Sequence, residues 1–203
     1  ATGPDGSIYV SAERGTTSPQ HVIRRIRPDG TIENFAGNGE EGDADNALGD
    51  GALAIDAPLE EPGPMAFGAS GALYFLDGAR SVRVVDAGGR LQTLNPGSSR
   101  EFRLEEDGTP LSRADLGALG ALAVASDETL YLGTLDGKVF RVGTDRRITR
   151  IAGGGEVDFD NAVDVGPQDA LRTRLRAIRS IAVGGAGELW ILDSGGGRLL
   201  KLQ

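Results

Sequence analysis

The chain contains three Tyr and one Trp, and all four occupy the same place in a recurring pattern. Gly6-Ser7-Ile8-Tyr9-Val10, Gly71-Ala72-Leu73-Tyr74-Phe75, Glu128-Thr129-Leu130-Tyr131-Leu132 and Gly187-Glu188-Leu189-Trp190-Ile191 each place an aromatic between two aliphatics after a turn, at spacings of 65, 57 and 59 residues. Self-similarity at a fixed period dictates architecture before any local assignment does. A second apolar stretch follows each aromatic, with a cation just before its last aliphatic: Arg25-Ile26, Arg83-Val84, Arg141-Val142 and Lys201-Leu202.

Two further runs complete the unit. Met65-Ala66-Phe67, Ala121-Leu122-Ala123-Val124 and Ser180-Ile181-Ala182-Val183 precede three of the aromatics. Thr31 to Phe35, Leu91 to Leu94 and Ile148 to Ile151 follow the tight turns Pro28-Asp29-Gly30, Ala87-Gly88-Gly89 and Thr144-Asp145. Short β-branched or aromatic runs bounded by Gly, Pro, Asp or Ser read as strands. The pattern therefore predicts four antiparallel strands per unit, over residues 1-36, 64-95, 121-152 and 179-203, with the first unit entering at the tail of its first strand and the last stopping after its third. Recurring four-stranded units of about 60 residues describe β-propeller blades, so the expected class is all-β, four blades of a single propeller domain or of a longer, about six-bladed ring. The aliphatics flanking each aromatic, Ile8 and Val10 in the first unit among them, are expected to be buried on the side opposite it, because side chains alternate along a strand.

The joints between units carry a resemblance. Asp50-Gly51 is followed by Ala54, Ala57 and Leu59, and Asp107-Gly108 by Leu111, Ala114 and Leu116; Gly166 to Leu175 repeats the spacing with one insertion. This resembles the NHL-repeat β-propeller family, whose second strand ends in an Asp matched here by Asp77 and Asp193 and replaced by Ala12 and Thr134 in the other two units. The resemblance implies a non-enzymatic interaction or scaffold module, binding a protein or belonging to a larger parent chain, secreted or at the cell surface. It also leaves a second reading, a propeller lyase or lactonase-like hydrolase with a divalent cation near the central channel.

Composition narrows these readings. With 203 residues and 39% hydrophobic content the chain is long enough to bury a core. The 30 acidic against 21 basic residues argue against nucleic acid as a partner. No apolar run approaches the roughly 20 residues of a membrane span, and Ala1 to Gly6 has no basic or apolar leader. Without Cys and with only His21, thiolate sites and three-histidine zinc sites are excluded. His21, at the start of a strand on the long-loop face, could serve as a base or ligand but reads rather as a lone solvated loop histidine, and no Ser-His-Asp set or phosphate loop can be argued, since Gly153-Gly154-Gly155 leads into an acidic run.

The joints between units are also the longest loops, and with the enlarged loop Ser11 to Gln20 they are expected on one end of the blades, opposite minimal turns. Long loops on a rigid scaffold are where binding resides. Two of them share an acidic run: Asp43, Asp45, Asn46 and Asp50 in one, Asp158, Asp160, Asn161 and Asp164 in the other. Hard cations such as Ca2+ take six to eight oxygens, so these residues are metal candidates, although the Gly and Glu of an EF-hand loop are missing. Turn and cap chemistry explains the same composition. Arg172, Arg174, Arg176 and Arg179 form a basic run expected to be solvated beside Asp164 and Asp169. No catalytic or cofactor-binding residue is assigned.

Overall fold

A computed structural model describes residues 1–14, 20–42, 48–96, 104–158 and 169–202. The chain divides into two compact units, Ala1–Ser98 and Ser99–Gln203. Each contains two antiparallel sheets.

In the first unit β1 (Ile8–Arg14), β2 (Gln20–Ile26) and β3 (Ile32–Ala36) form one sheet. β4 (Pro62–Phe67), β5 (Leu73–Asp77), β6 (Ser81–Val85) and β7 (Leu91–Asn95) form the other, in that order. In the second unit β8 (Leu119–Val124), β9 (Leu130–Thr134), β10 (Lys138–Val142) and β11 (Ile148–Gly153) form a four-stranded sheet, and β12 (Ile178–Val183), β13 (Leu189–Asp193) and β14 (Arg198–Leu202) a three-stranded one. All four sheets are up-and-down meanders. In the first, Thr2 bridges Ile8 and so stands where the innermost strand of the other sheets runs. These are the blades of a β-propeller. Among the described residues no helix is long and apolar enough to cross a membrane.

The sequence repeat is a repeat of turns as much as of strands. The amides of Gly6, Gly71, Glu128 and Gly187 each donate to the carbonyl three residues earlier, at 3.0 to 3.1 Å. Three of these residues are Gly with φ near +80°, whereas Glu128 reaches φ +66° with a side chain attached. Carboxylates hold two of these turns and the β2–β3 turn: Asp5 accepts the amide of Ser7, Asp127 that of Thr129 and Asp29 that of Thr31. Accordingly Asp5 titrates at about 2, held down first by the Ser7 amide and hydroxyl, and Asp29 and Asp127 are lowered for the corresponding reason.

Burial follows one rule within each unit. The tyrosine of the first sheet points toward the sheet that follows it in the same unit. In the first unit Tyr9 and Ile23 pack on Leu73, Phe75, Val85 and Leu91, and Tyr9 meets Phe67 edge-on at 4.7 Å. In the second, Tyr131 packs with Leu189, Ile191 and Leu202. Leu130 and Leu132 are fully buried, as expected, but Ile8 and Val10 are 49% and 37% exposed. The correction has a plain cause: their face looks away from the β4–β7 sheet, and no described residue covers it. The loop expected over Ser11 to Gln20 is also shorter, because β1 runs to Arg14 and β2 begins at Gln20; residues 15–19 lie outside the described residues.

Candidate functional site

The joints between blades carry the exposed apolar residues that are not on a blade face: Leu48, Leu53 and Ile55 in the first unit, Val157 and Leu171 in the second, each 44 to 47% exposed. Their backbone is built into the blades. Asp50 accepts the Thr93 amide at 2.9 Å and the Thr93 hydroxyl at 2.7 Å, and Asp107 accepts the Arg150 amide at 2.8 Å. The Gly51 and Ala54 amides donate to Leu91 and Gly89, as those of Gly108 and Leu111 do to Ile148 and Arg146. Each segment thus climbs the outer strand of the blade that follows, turns through a 3-10 turn at Ala54–Asp56 or Leu111–Arg113, and sends Ala57 and Leu59, or Ala114 and Leu116, inward. The first two joints do not stay at one end of the blades, as the loop lengths alone suggested; part of each forms an outer rim.

Where the segment enters its blade, a buried carboxylate receives it. Asp77 Oδ1 accepts the Glu60 and Glu61 amides at 3.0 and 2.9 Å, and Asp193 Oδ1 accepts those of Arg176 and Ala177 at 3.1 Å each. Both aspartates are fully buried, and their second oxygens bind Arg83 and Arg198. Burial pushes the Asp77 carboxyl above its ordinary value, against the pull of Arg83 and of the two amides. In the third blade Thr134 stands at this position and serves the hairpin instead, its hydroxyl accepting the Lys138 amide at 2.9 Å. These side chains are structural.

Among the described residues the second unit holds two clefts along its joints. One, of about 390 Å3, is lined by Glu105, Glu106, Asp107, Arg150 and Leu171. The other, of about 260 Å3, is lined by Val157, Asp169, Arg172 and Thr173. Lys138 Nζ lies 2.5 and 2.7 Å from the two oxygens of Glu105, which fixes that wall. Arg172, Arg174 and Arg176 are exposed and alternate with buried Thr173 and Leu175, so the three project to the same side; Arg174 pairs with Asp158 at 3.0 Å.

Of the metal candidates, Asp43, Asp45, Asn46, Asp160, Asn161 and Asp164 lie outside the described residues. Asp50 and Asp158 are described and already engaged, by Thr93 and Arg83 and by Arg174. Among the described residues no three acidic or His side chains group as a metal site. His21 lies at the start of a strand as expected, half-buried in β2 opposite Glu13 in β1 and so not in a solvated loop. Sequence reasoning missed the clefts, although Leu171 at the position of Ile55 was a visible signal: an apolar residue beside the buried positions of the joint.

Fold and site together define a β-propeller of NHL-type repeats. A family model described as the Teneurin NHL domain matches residues 28–203, and the chain belongs to that family. It is 31% identical to Teneurin-m of Drosophila melanogaster over 98% of its length and 31% identical to Teneurin-3 of Mus musculus over 96%. The chain spans only 8% and 7% of those two proteins. Among solved structures it resembles an auxiliary nutrient binding protein from Bacteroides thetaiotaomicron (TM-score 0.60, 17% identity, 98% of this chain and 46% of that one). It also resembles virginiamycin B lyase from Staphylococcus aureus (TM-score 0.55, 18% identity, 100% and 50%). Both likenesses concern the fold.

Proposed function

We propose that the chain is a non-enzymatic interaction module at the cell surface or outside the cell, and that it binds a protein partner through the outer rim of its blades. The observation that carries this reading is the rim of the second unit. There two clefts lie side by side, with exposed Leu171 and Val157 next to Arg150, Arg172 and the carboxylates of Glu105 and Glu106. Apolar anchors ringed by charge are the composition of a protein-binding patch. Of the carboxylates considered as cation ligands, the two that are described are engaged, Asp50 by Thr93 and Arg83 and Asp158 by Arg174.

The test is binding of the labelled chain to cultured cells, read by flow cytometry. Leu171→Asp with Arg172→Glu should lower the bound signal at least tenfold while the melt is unchanged, and Ser70→Ala, in a minimal turn, should leave it intact. Equal binding by both variants would move the function off the rim.

A further inference from the structure

An Asp or Asn followed by Gly has one chemistry in common: the Gly amide nitrogen can attack the side-chain carbonyl carbon, because no Cβ on the Gly blocks the approach. The chain has seven such pairs, six Asp-Gly at Asp5, Asp29, Asp50, Asp77, Asp107 and Asp136 and one Asn-Gly at Asn38-Gly39. In all six Asp-Gly pairs the nitrogen is held. The amides of Gly6, Gly30, Gly51, Gly78, Gly108 and Gly137 donate to backbone carbonyls at 2.8 to 3.2 Å. The Gly39 amide donates to no described group, although Gly39 is buried, where an unpaired amide is uncommon.

The third joint supplies the comparison. Ala36-Gly37-Asn38-Gly39-Glu40 corresponds to Ala152-Gly153-Gly154-Gly155-Glu156, and the Gly37 amide donates to Ala54 as that of Gly153 does to Ala170. In the third joint the Gly155 amide goes on to the Thr173 carbonyl at 3.2 Å. In the first, the matching carbonyl of Ala57 takes the Asn38 amide instead, at 3.0 Å. The bond has moved one residue earlier, and Gly39 is left over. The Asn38 side chain is exposed, and its Oδ1 accepts the Glu40 amide at 2.8 Å. The ring closed by that bond contains both Asn38 Cγ and the Gly39 nitrogen, so the carboxamide is folded back over the peptide that attacks it.

We propose that Asn38 is a site of spontaneous deamidation and that the change loosens the first joint. The Gly39 nitrogen gives its proton to hydroxide and bonds to Asn38 Cγ. The Cγ–Nδ2 bond breaks, and the nitrogen leaves as ammonia after taking a proton from water, which returns the hydroxide. Water then adds to one of the two carbonyls of the five-membered imide, and the ring opens to aspartate or, through the other carbonyl, to isoaspartate. Asn38 Nδ2 donates to Glu40 Oε2 and to the Asp56 carbonyl, at 3.1 Å each. A carboxylate in its place meets a carboxylate and a carbonyl with no proton to give. The isoaspartyl product also adds a methylene to a backbone packed closely on β2, where even a Cβ on Gly37 would come within 2.6 Å of the His21 carbonyl oxygen.

The experiment incubates the whole chain in mildly alkaline buffer, folded or unfolded in urea, and cleaves it after glutamate, which releases residues 34–40 for tandem mass spectrometry. In the folded chain position 38 should gain the mass difference between hydroxyl and amine at least tenfold faster than Asn34 in the same peptide, and faster still as pH rises. Gly154→Asn builds a second Gly-Asn-Gly-Glu run, at a φ of +75° that Asn tolerates. Unfolded, the new Asn should convert as fast as Asn38. Folded, it should convert at least tenfold more slowly, because the Gly155 amide is bonded. Asn38→Asp, a copy of one product, should lower the melting temperature. An Asn38 that persists in the folded chain while the unfolded chain converts would overturn the site. That comparison needs only the wild type and stands whether or not Gly154→Asn folds, which circular dichroism checks. Equal conversion of both pairs in a folded Gly154→Asn would overturn the role of the unbonded amide, and an unchanged melt for Asn38→Asp would overturn the loosening.

Discussion

Arg83 Nη1 lies 2.9 Å from Asp77 Oδ2, and neither side chain has any exposed surface. The pair faces the joint entering its own blade: Arg83 donates to the carbonyls of Leu48 at 2.6 Å and Pro58 at 3.4 Å, while Asp77 takes the amides of Glu60 and Glu61. Removing one member of a buried ion pair leaves the other charge uncompensated, a loss of about 3 to 5 kcal/mol. Arg83→Met and Asp77→Ala should each lose that much in urea unfolding. The double variant should lose less than the two together, since neither charge is then stranded. Arg198 keeps partial exposure beside Asp193, so Arg198→Met should cost clearly less than Arg83→Met.

Leu130 and Val10 each flank a tyrosine, Leu130 before Tyr131 and Val10 after Tyr9, but Leu130 is fully buried and Val10 is 37% exposed. Leu130→Ala should cost about 2 to 5 kcal/mol. Val10→Ala should stay within about 1 kcal/mol, as for a surface change. Chemical denaturation of the two variants side by side measures the difference.

Glu128 adopts φ +66° where the corresponding turns have Gly. An L-residue in that region costs about 1 to 2 kcal/mol, and the added freedom of Gly in the unfolded chain takes back roughly 0.4 to 1 kcal/mol. Glu128→Gly should therefore raise the melting temperature by a few degrees at most, whereas Gly71→Glu should lower it.

The turn carboxylates give stability its acid limb. Asp5 is lowered to about 2, and Asp29 and Asp127 are lowered as well, through bonds to backbone amides. A lowered carboxyl stabilises the fold above its unfolded pKa, so this contribution is intact at pH 5 and is lost as pH falls from about 4 through 2. Urea midpoints taken from pH 5 to pH 2 should fall. The fall should be shallower in Asp5→Asn combined with Asp29→Asn and Asp127→Asn.

Asp50 was a cation candidate in the sequence and is a strand anchor in the structure. Asp50→Ala removes charge-assisted bonds to Thr93 and Arg83, each worth about 1.5 to 3 kcal/mol. The loss should be the same in excess chelator and in millimolar Ca2+. A loss seen only with Ca2+ would make Asp50 a ligand.

The blades were legible because the units repeat local signals: short apolar runs, Asp-x-Ser or Asp-x-Thr turns at Asp5, Asp29 and Asp127, and one Tyr or Trp per unit. The D-G joints were legible for the same reason, since their small residues must fit against an outer strand. Exposure at Ile8 and Val10 was not legible. A strand's own pattern says which residues share a face, but not whether another sheet lies over it. The path of the joints was hidden too, because the bond from Asp50 to Thr93 spans 43 residues and no local signal announces its partner.

The joint that climbs the outer strand of the following blade changes what counts as a portable piece. A chimera that exchanges β4 to β7 with a relative and begins at Pro62 would leave behind Asp50, Ala54, Ala57 and Leu59, and with them the cover of its own outer edge. Beginning at Leu48 carries the blade together with its rim, so recombination between relatives should tolerate crossovers before residue 48 and penalise those between 48 and 61.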